Sequence, residues 1–251
     1  MRLKGTLAER SGTCSAESKP KRNPHLTELR TTMIFKRLLS DIIFWALANG
    51  LVFLAAPDTG SILYEPRGQL LLAVVNILWF VPLVGDAYVP EGKIRAHGKD
   101  RIYYLTMSVL LVEFAVCAYE YTHFRVGESD LRLDTVIGLA LICLGFLLSI
   151  IAWLTIRRFS SPRFQIIEGH RIVDSGIYHF IRHPIYLSLF LIAAGVPIAL
   201  RSVGGCLLLI TLVIPAWIYI ANEEEKFLLL MFKQEYKLYL RKTKKFIPFL
   251  Y

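Results

Sequence analysis

Six apolar runs dominate the sequence, each close to the ~20 residues that cross a bilayer as a helix. They fall at residues 38–56, 69–89, 102–121, 135–154, 184–200 and 203–221. Hydrophobic residues make up 55% of the chain and the mean hydropathy is +0.48, which is too apolar for an ordinary soluble domain. Because a backbone in lipid must satisfy its own hydrogen bonds, the runs predict helices. The predicted fold class is an all-α integral membrane protein with about six transmembrane helices in one bundle.

Positive charge is distributed as membrane topology requires. The chain carries 29 Lys and Arg residues and a formal net charge of +9. With the N-terminus in the cytoplasm, 25 of the 29 fall in cytoplasmic segments, and the four in outer loops are Arg67, Arg125, Arg132 and Arg201. The positive-inside rule expects this bias. We therefore predict that both termini are cytoplasmic, in a bacterial cytoplasmic membrane or the endoplasmic reticulum, and we expect no nucleic-acid partner.

The first 32 residues differ in character from the rest of the chain. They are polar and contain no apolar core, so they are not a secretory signal and we expect a disordered extension. Met33 is a second candidate start. Residues 33–251 are predicted to form a single membrane domain. The four cysteines are scattered, and no Cys/His spacing predicts a metal site.

One carboxyl group falls within an apolar run. Glu113 lies near the middle of the third run. An intramembrane carboxyl marks a functional site by default and is expected to face the interior of the bundle. The alternative is a protonated glutamate that is hydrogen-bonded to a neighbour such as Asn49 or Asn76. The sequence leaves both interpretations open.

Two polar segments near the C-terminus stand out from this pattern. The connection at residues 155–183 contains FQIIEGHRIVDSGIY, whose weak alternation and two glycines predict a short hairpin or an irregular lid. In the tail, apolar and aromatic residues recur at helical spacing and predict a C-terminal amphipathic helix that Pro248 ends. One interpretation places that helix on an anionic membrane surface. The recurring residues are Leu228, Phe232, Tyr236 and Tyr239.

The stretch FIRHPIY begins the fifth apolar run. Pro184 is tolerated in the first turn of a helix, so Arg182 and His183 lie at its N-terminal end, where the helix dipole adds positive charge. Such a site suits a carboxylate or a polar cofactor edge. Since the fifth and sixth runs have similar lengths and form a hairpin, the glutamates at 223–225 should emerge beside Arg182 and His183. The alternative is that these glutamates only neutralise local basic residues.

The ordered pattern of the C-terminal third resembles a known class of enzyme. GIYHFIRHPIY is followed about 40 residues later by EExxLxxxFxxEYxxY and a closing IP. This resembles the membrane methyltransferases, namely the isoprenylcysteine carboxyl methyltransferases and the phospholipid N-methyltransferases. The resemblance implies a catalytic core at residues 155–251 that binds S-adenosyl-L-methionine through a cytoplasmic loop. It also implies a lipid-borne or prenylated acceptor that enters from the bilayer, with isoprenylcysteine carboxyl O-methylation as the nearest reaction and phospholipid N-methylation as the alternative.

The resemblance carries over to individual positions. The cofactor-binding residues that it implies are His170, Arg171, Ile172, Val173, Tyr178, His183, Pro184, Ile185, Tyr186 and Glu224. Of these, His183 suits the cofactor carboxylate, Glu224 suits its amine or ribose hydroxyls, and the tyrosines suit its adenine. Arg182 and Glu225 are the nearest catalytic candidates, in a reaction that needs positioning and a desolvated pocket.

Two positions depart from the family pattern, and a second family is similar. Lys233 replaces the glycine that usually precedes the EY pair, and Ile220 stands where the isoprenylcysteine enzymes place an acceptor-binding arginine. The methyl donor is therefore better supported than the acceptor. Membrane sterol and steroid reductases, which use NADPH, share a similar C-terminal region. In those enzymes asparagine typically follows the proline, whereas Ile185 follows it here, which favours methyl transfer.

Overall fold

The computed structural model describes residues 24–87, 93–95, 100–124, 133–156, 165–167 and 171–247. Within these ranges the secondary structure is helical apart from two short strands. The helices are α1 (Pro24–Ala55), α2 (Thr59–Tyr64), α3 (Pro66–Ala87), α4 (Asp100–Phe124), α5 (Leu133–Ile156), α6 (Pro184–Leu200), α7 (Val203–Leu208) and α8 (Ile214–Lys242). The strands are β1 (Lys93–Arg95) and β2 (Gln165–Ile167), and a 3-10 turn spans Gly176–His179.

The apolar runs predicted from the sequence lie in these helices. Within the described residues, three helical stretches are long and apolar enough to cross a membrane: α1, α5 and the continuous stretch Val203–Lys242. At 17 residues, α6 is apolar but shorter. The structure therefore has the helical, membrane-spanning character that the sequence predicts, and the count of six spans stays a prediction.

The first helix begins earlier than its apolar run. It starts at Pro24, a residue that is tolerated in the first turn, and continues through HLTELR, which contains good helix formers and no breaker. Residues 24–32 are thus helical where we expected disorder. The rest of that expectation, residues 1–23, lies outside the described residues.

Close contact between α5 and α6 fixes where α6 begins. A Cβ atom added to Gly138 would lie 2.5 Å from the backbone nitrogen of Ala199, and one added to Gly145 would lie 2.7 Å from the carbonyl oxygen of Ser188. Likewise, a Cβ on Gly195 would lie 2.6 Å from the carbonyl oxygen of Gly138. Small residues allow two membrane helices to approach at this distance. No larger side chain fits at these crossings unless the two helices move apart.

The connection between α5 and α6 makes a different contact from the one expected. Its strand β2 pairs antiparallel with β1, with Ile94 opposite Ile166. Because β1 belongs to the connection between α3 and α4, the partner comes from another connection and not from a hairpin within residues 155–183. The described remainder, from Arg171 onward, is irregular until the 3-10 turn, where Gly176 has a φ of 56°.

The last helical stretch contains two irregularities. A π-helical turn at Leu209–Val213 ends two residues before Pro215, whose ring nitrogen cannot donate a helical hydrogen bond. Further on, Lys233 has φ 45° and ψ −113°, and α8 kinks there. Glycine adopts a positive φ at little cost, whereas a residue with a Cβ is strained. The positive φ at this position therefore explains why the family has a glycine where this chain has Lys233.

Beyond the kink, the end of α8 packs onto the protein. Tyr236 and Tyr239 are buried, and the Tyr239 hydroxyl donates to the carbonyl oxygen of Tyr178 at 2.7 Å. The aromatic stripe thus faces protein at these two positions, where we had considered a membrane surface. The helix ends at Lys242 because Thr243 is extended. This is earlier than the predicted end at Pro248, which lies outside the described residues.

The interior of the bundle is apolar around one carboxyl group. Glu113 is fully buried, and neither of its carboxyl oxygens has a hydrogen-bond partner among the described residues. Asn76 donates instead to Asn49 at 3.2 Å and accepts from the indole of Trp45 at 2.8 Å. The hydrogen bond to Asn49 or Asn76 that we considered for Glu113 is therefore absent from this part of the structure.

Candidate active site

The C-terminal strap, residues 243–247, pairs with the segment that leads into α6. The backbone N–H of Arg182 donates to Lys244 at 2.8 Å, and that of His183 donates to Lys245 at 3.1 Å. The N–H of Lys244 donates back to Phe180 at 3.0 Å. Since these bonds hold the backbone on both sides, the side chains of Arg182 and His183 start from fixed positions at the beginning of α6.

Glu225 is the centre of the interactions at this end of α6. One carboxylate oxygen accepts from Arg182 Nε at 2.8 Å and lies 3.1 Å from His183 Nε2. The other oxygen lies 3.0 Å from Lys245 Nζ. Lys245 also donates to the side chain of Asn222. We call the group formed by these residues and Glu224 the polar cluster.

These contacts determine the charge state of Glu225, which follows the apolar part of α8. Burial opposes ionisation, but hydrogen bonds from His183, Arg182 and Lys245 outweigh it and lower the pKa of Glu225 to about 2. The carboxylate is therefore ionised at neutral pH, with both oxygens held by basic groups. Such a carboxylate is a poor proton acceptor and a good anchor for its neighbours.

Glu224 has a different environment. Its Oε2 lies 3.7 Å from His183 Nδ1, and its side chain is 33% exposed, whereas that of Glu225 is 13% exposed. Tyr186 lies beside His183, with 5.3 Å between the two ring centroids. Glu224 is thus the carboxylate of the polar cluster that remains accessible to a ligand.

The first turn of α6 adds an anion-binding element. His183 precedes the helix without capping it by its side chain, and Pro184 occupies the first turn. The next N–H groups, those of Ile185 and Tyr186, therefore have no side-chain cap from His183. Helix N-termini of this kind favour a carboxylate or a phosphate.

The remaining predicted residues lie around this turn. Tyr178 is buried in the 3-10 turn, and its carbonyl oxygen anchors α8 through Tyr239. Of the preceding segment, Arg171 is exposed while Ile172 and Val173 are half-buried. His170 lies outside the described residues. The structure therefore brings together Arg182, His183, Glu224 and Glu225.

Sequence reasoning missed two members of the polar cluster. Lys245 and Asn222 contact each other, and Lys245 also contacts Glu225. Lys245 is only 8% exposed, which is unusual for a lysine. Its burial follows from the backbone pairing between the strap and residues 180–183, and no periodic pattern in the sequence signals such pairing.

Comparisons with known proteins address this region of the chain. A family model for phospholipid methyltransferases matches residues 133–235, which include α5, α6 and most of α8. The fold is similar to that of the eukaryotic intramembrane Ras methyltransferase, an isoprenylcysteine carboxyl methyltransferase, with a TM-score of 0.51 and 20% identity over 88% of this chain and 86% of that chain. A comparison with curated proteins finds no match.

The fold is therefore similar to that of an intramembrane methyltransferase, and the apolar helices are those of an integral membrane protein. The family match adds the more particular statement that residues 133–235 carry the sequence pattern of the phospholipid methyltransferases. This confirms the resemblance predicted from the FIRHPIY and EExxL motifs.

Proposed function

We propose that this protein transfers a methyl group from S-adenosyl-L-methionine to a lipid-borne acceptor, in a reaction like isoprenylcysteine carboxyl O-methylation. The observation that carries the proposal is the polar cluster beside the uncapped start of α6. Arg182, His183, Glu224 and Glu225 meet there, inside the region that matches the methyltransferase family. The similar solved structure, which is named as a carboxyl methyltransferase, supports a carboxylate acceptor.

The residues present fit the methyl donor. The exposed part of Glu224 suits the ammonium group, while His183 and the first N–H groups of α6 suit the carboxylate. Tyr178 and Tyr186 offer ring faces for the adenine. The other proposed cofactor residues are His170, Arg171, Ile172, Val173, Pro184 and Ile185. When bound, the donor supplies an electrophilic methyl group on a positively charged sulfur.

The charge state of Glu225 bears on which acceptor is used. The transfer breaks the methyl carbon–sulfur bond, leaves its electron pair on sulfur and forms a carbon–oxygen bond from a carboxylate lone pair. A carboxylate is already ionised and needs no base, whereas an amine must lose a proton. The low pKa of Glu225 makes it unsuited to accept that proton. We therefore propose that Glu225 and Arg182 position His183. We favour a carboxylate over an ethanolamine headgroup because the similar solved structure is named as a carboxyl methyltransferase.

The test is calorimetric binding of S-adenosylhomocysteine to the detergent-purified chain, with NADPH measured in parallel. We expect micromolar binding of S-adenosylhomocysteine. Glu224→Gln should weaken it about tenfold to a hundredfold, since hydrogen bonds to charged groups contribute ~1.5–3 kcal/mol. His183→Ala should weaken it similarly.

Glu223→Gln is the matched control, because Glu223 is the neighbouring glutamate and its carboxylate pairs with the exposed Lys226 at 2.7 Å. We expect this variant to bind as the wild type does. Binding of NADPH without binding of S-adenosylhomocysteine would overturn the proposal in favour of a reductase. Equal losses in the Glu223 and Glu224 variants would show that Glu224 has no specific role.

A further inference from the structure

Trp217 contains a buried polar atom that has no hydrogen-bond partner in the part of the chain that the structure describes. The side chain lies on α8 and is 1% exposed, and its indole Nε1 has no hydrogen-bond partner among the described residues. Leaving a buried N–H without a partner reduces stability, so native structures rarely keep one. Tryptophan avoids this cost when its N–H meets an acceptor. A ligand oxygen would supply that acceptor.

The position of Trp217 connects it to the polar cluster. Its ring centroid lies 5.3 Å from that of Phe190, and Phe190 lies 5.3 Å from Phe246. Phe246, in the C-terminal strap, lies 5.8 Å from His183. We call these four residues the aromatic row. The row is continuous from the charged end of α6 to the apolar interior of the bundle.

The helical register of α8 gives the same alignment. Trp217 precedes Glu224 by two helical turns, so both side chains lie on one face, roughly 10 Å apart along the axis. Ile220 and Ala221, which lie between them on that face, are buried and apolar. These rings and buried aliphatic side chains form an apolar surface of the kind that suits the apolar chain of a lipid-borne molecule, and Trp217 Nε1 is a polar atom within it.

We propose that the Trp217 indole N–H binds a carboxylate or carbonyl oxygen of the methyl acceptor, and so positions an anionic, prenylcysteine-like acceptor. The inference rests on the proposed methyl transfer and adds a residue that determines which acceptor is used. An indole N–H donates and never accepts. It therefore matches an accepting atom with lone pairs, such as a carboxylate oxygen, and it cannot bind the ammonium nitrogen that an ethanolamine acceptor would present for methylation.

The test compares Trp217→Phe with wild type, because phenylalanine keeps an aromatic ring and removes the N–H. The probe is N-acetyl-S-farnesylcysteine, with phosphatidylethanolamine vesicles in parallel. We expect the KM for the farnesylcysteine to rise about tenfold, with kcat changed less than threefold. The affinity for S-adenosylhomocysteine should not change. Trp153→Phe, at an exposed tryptophan, is the matched control and should leave all three values unaltered.

A spectroscopic measurement gives an answer independent of turnover. In protein labelled with ¹⁵N-tryptophan, the indole resonance that is absent from the Trp217→Phe spectrum belongs to Trp217. We expect it to move downfield when N-acetyl-S-farnesylcysteine is added, and to stay in place with phosphatidylethanolamine. An unmoved resonance, an unchanged KM, or methylation of phosphatidylethanolamine alone would overturn the inference. Failure of the wild type to bind S-adenosylhomocysteine would instead overturn the proposed function.

Discussion

The polar cluster at the start of α6 and the interior of the bundle hold buried polar groups in opposite ways. In the polar cluster, the Glu225 carboxylate has three basic partners, each within 3.1 Å. In the interior, Glu113 and Trp217 have no hydrogen-bond partner among the described residues. A buried charge pays for itself only when it is paired, and an unpaired polar group reduces stability. The comparison shows that the charges of the polar cluster are paired, whereas two buried polar side chains of the interior have no partner among the described residues.

The two regions also carry different costs. The polar cluster depends on the strap and on the last part of α8, which reaches its position through the kink at Lys233. That kink stores backbone strain in a residue with a positive φ. The interior instead contains buried polar atoms that have no hydrogen-bond partner among the described residues. Substitutions that remove either the ion pairs, the unpartnered carboxyl group or the backbone strain, one at a time, test this difference between the two regions.

The largest effect should come from removing the shared carboxylate. Glu225→Gln leaves Arg182, His183 and Lys245 close together without their common anion. Breaking a buried ion pair by removing one partner costs ~3–5 kcal/mol, and we expect about 3 kcal/mol because part of Glu225 remains exposed. The measurement is the free energy of unfolding in detergent.

Glu235→Gln, at an exposed position further along α8, is the control, and its free energy of unfolding should change little.

The pH dependence of the free energy of unfolding gives a second test of the Glu225 carboxylate. Because folding lowers the pKa of Glu225 from 4.5 to about 2, its contribution is complete above about pH 4.5 and is lost as the pH falls toward 2. Wild type should lose stability in that window relative to Glu225→Gln. Parallel pH profiles for the two proteins would contradict a stabilising role for the carboxylate.

Removal of the buried carboxyl group in the interior should raise the free energy of unfolding, which is the opposite of the effect expected at Glu225. Glu113→Met replaces an unpaired carboxyl with an apolar side chain of similar size, and we expect the free energy of unfolding to rise by ~1–3 kcal/mol. Glu113→Gln keeps an unpaired polar group and should bring no such gain. Loss of stability in Glu113→Met would mean that Glu113 has a partner in the bilayer, and the contrast between the two regions would fail.

The sequence predicted that the acidic and basic residues of the polar cluster lie close together. It did not predict all of the contacts that keep them in place. A hairpin of two apolar runs of similar length returns Glu225 to the level of Arg182, and the structure has Arg182 Nε 2.8 Å from the Glu225 carboxylate. Lys245 was missed because it arrives through backbone pairing between distant segments, and backbone pairing leaves no trace in side-chain periodicity. The role of Gly195 was missed for a similar reason, since a close helix crossing depends on which faces meet.

Other differences have local causes. The amphipathic stripe predicted a helix correctly, but periodicity does not say whether lipid or protein covers Tyr236, and here the protein buries it. The hydrogen bond considered for Glu113 required a rotational alignment of α1, α3 and α4 that apolar runs do not specify. In contrast, the sequence itself showed that Lys233 stands where the family has a glycine. The positive φ at this position explains why a glycine is favoured there.

The smallest change in the free energy of unfolding should come from relieving the backbone strain at Lys233. Lys233→Gly removes the strain of a positive φ, typically ~1–3 kcal/mol, and adds the backbone entropy cost of glycine, ~0.5–1 kcal/mol. We therefore expect a net gain of about 1 kcal/mol in the free energy of unfolding. Gln234→Gly, at the next exposed position, is the matched control and should lose ~1 kcal/mol because it is helical. If both variants lose stability equally, Lys233 has an ordinary helical conformation, and the polar cluster carries no backbone strain at this position.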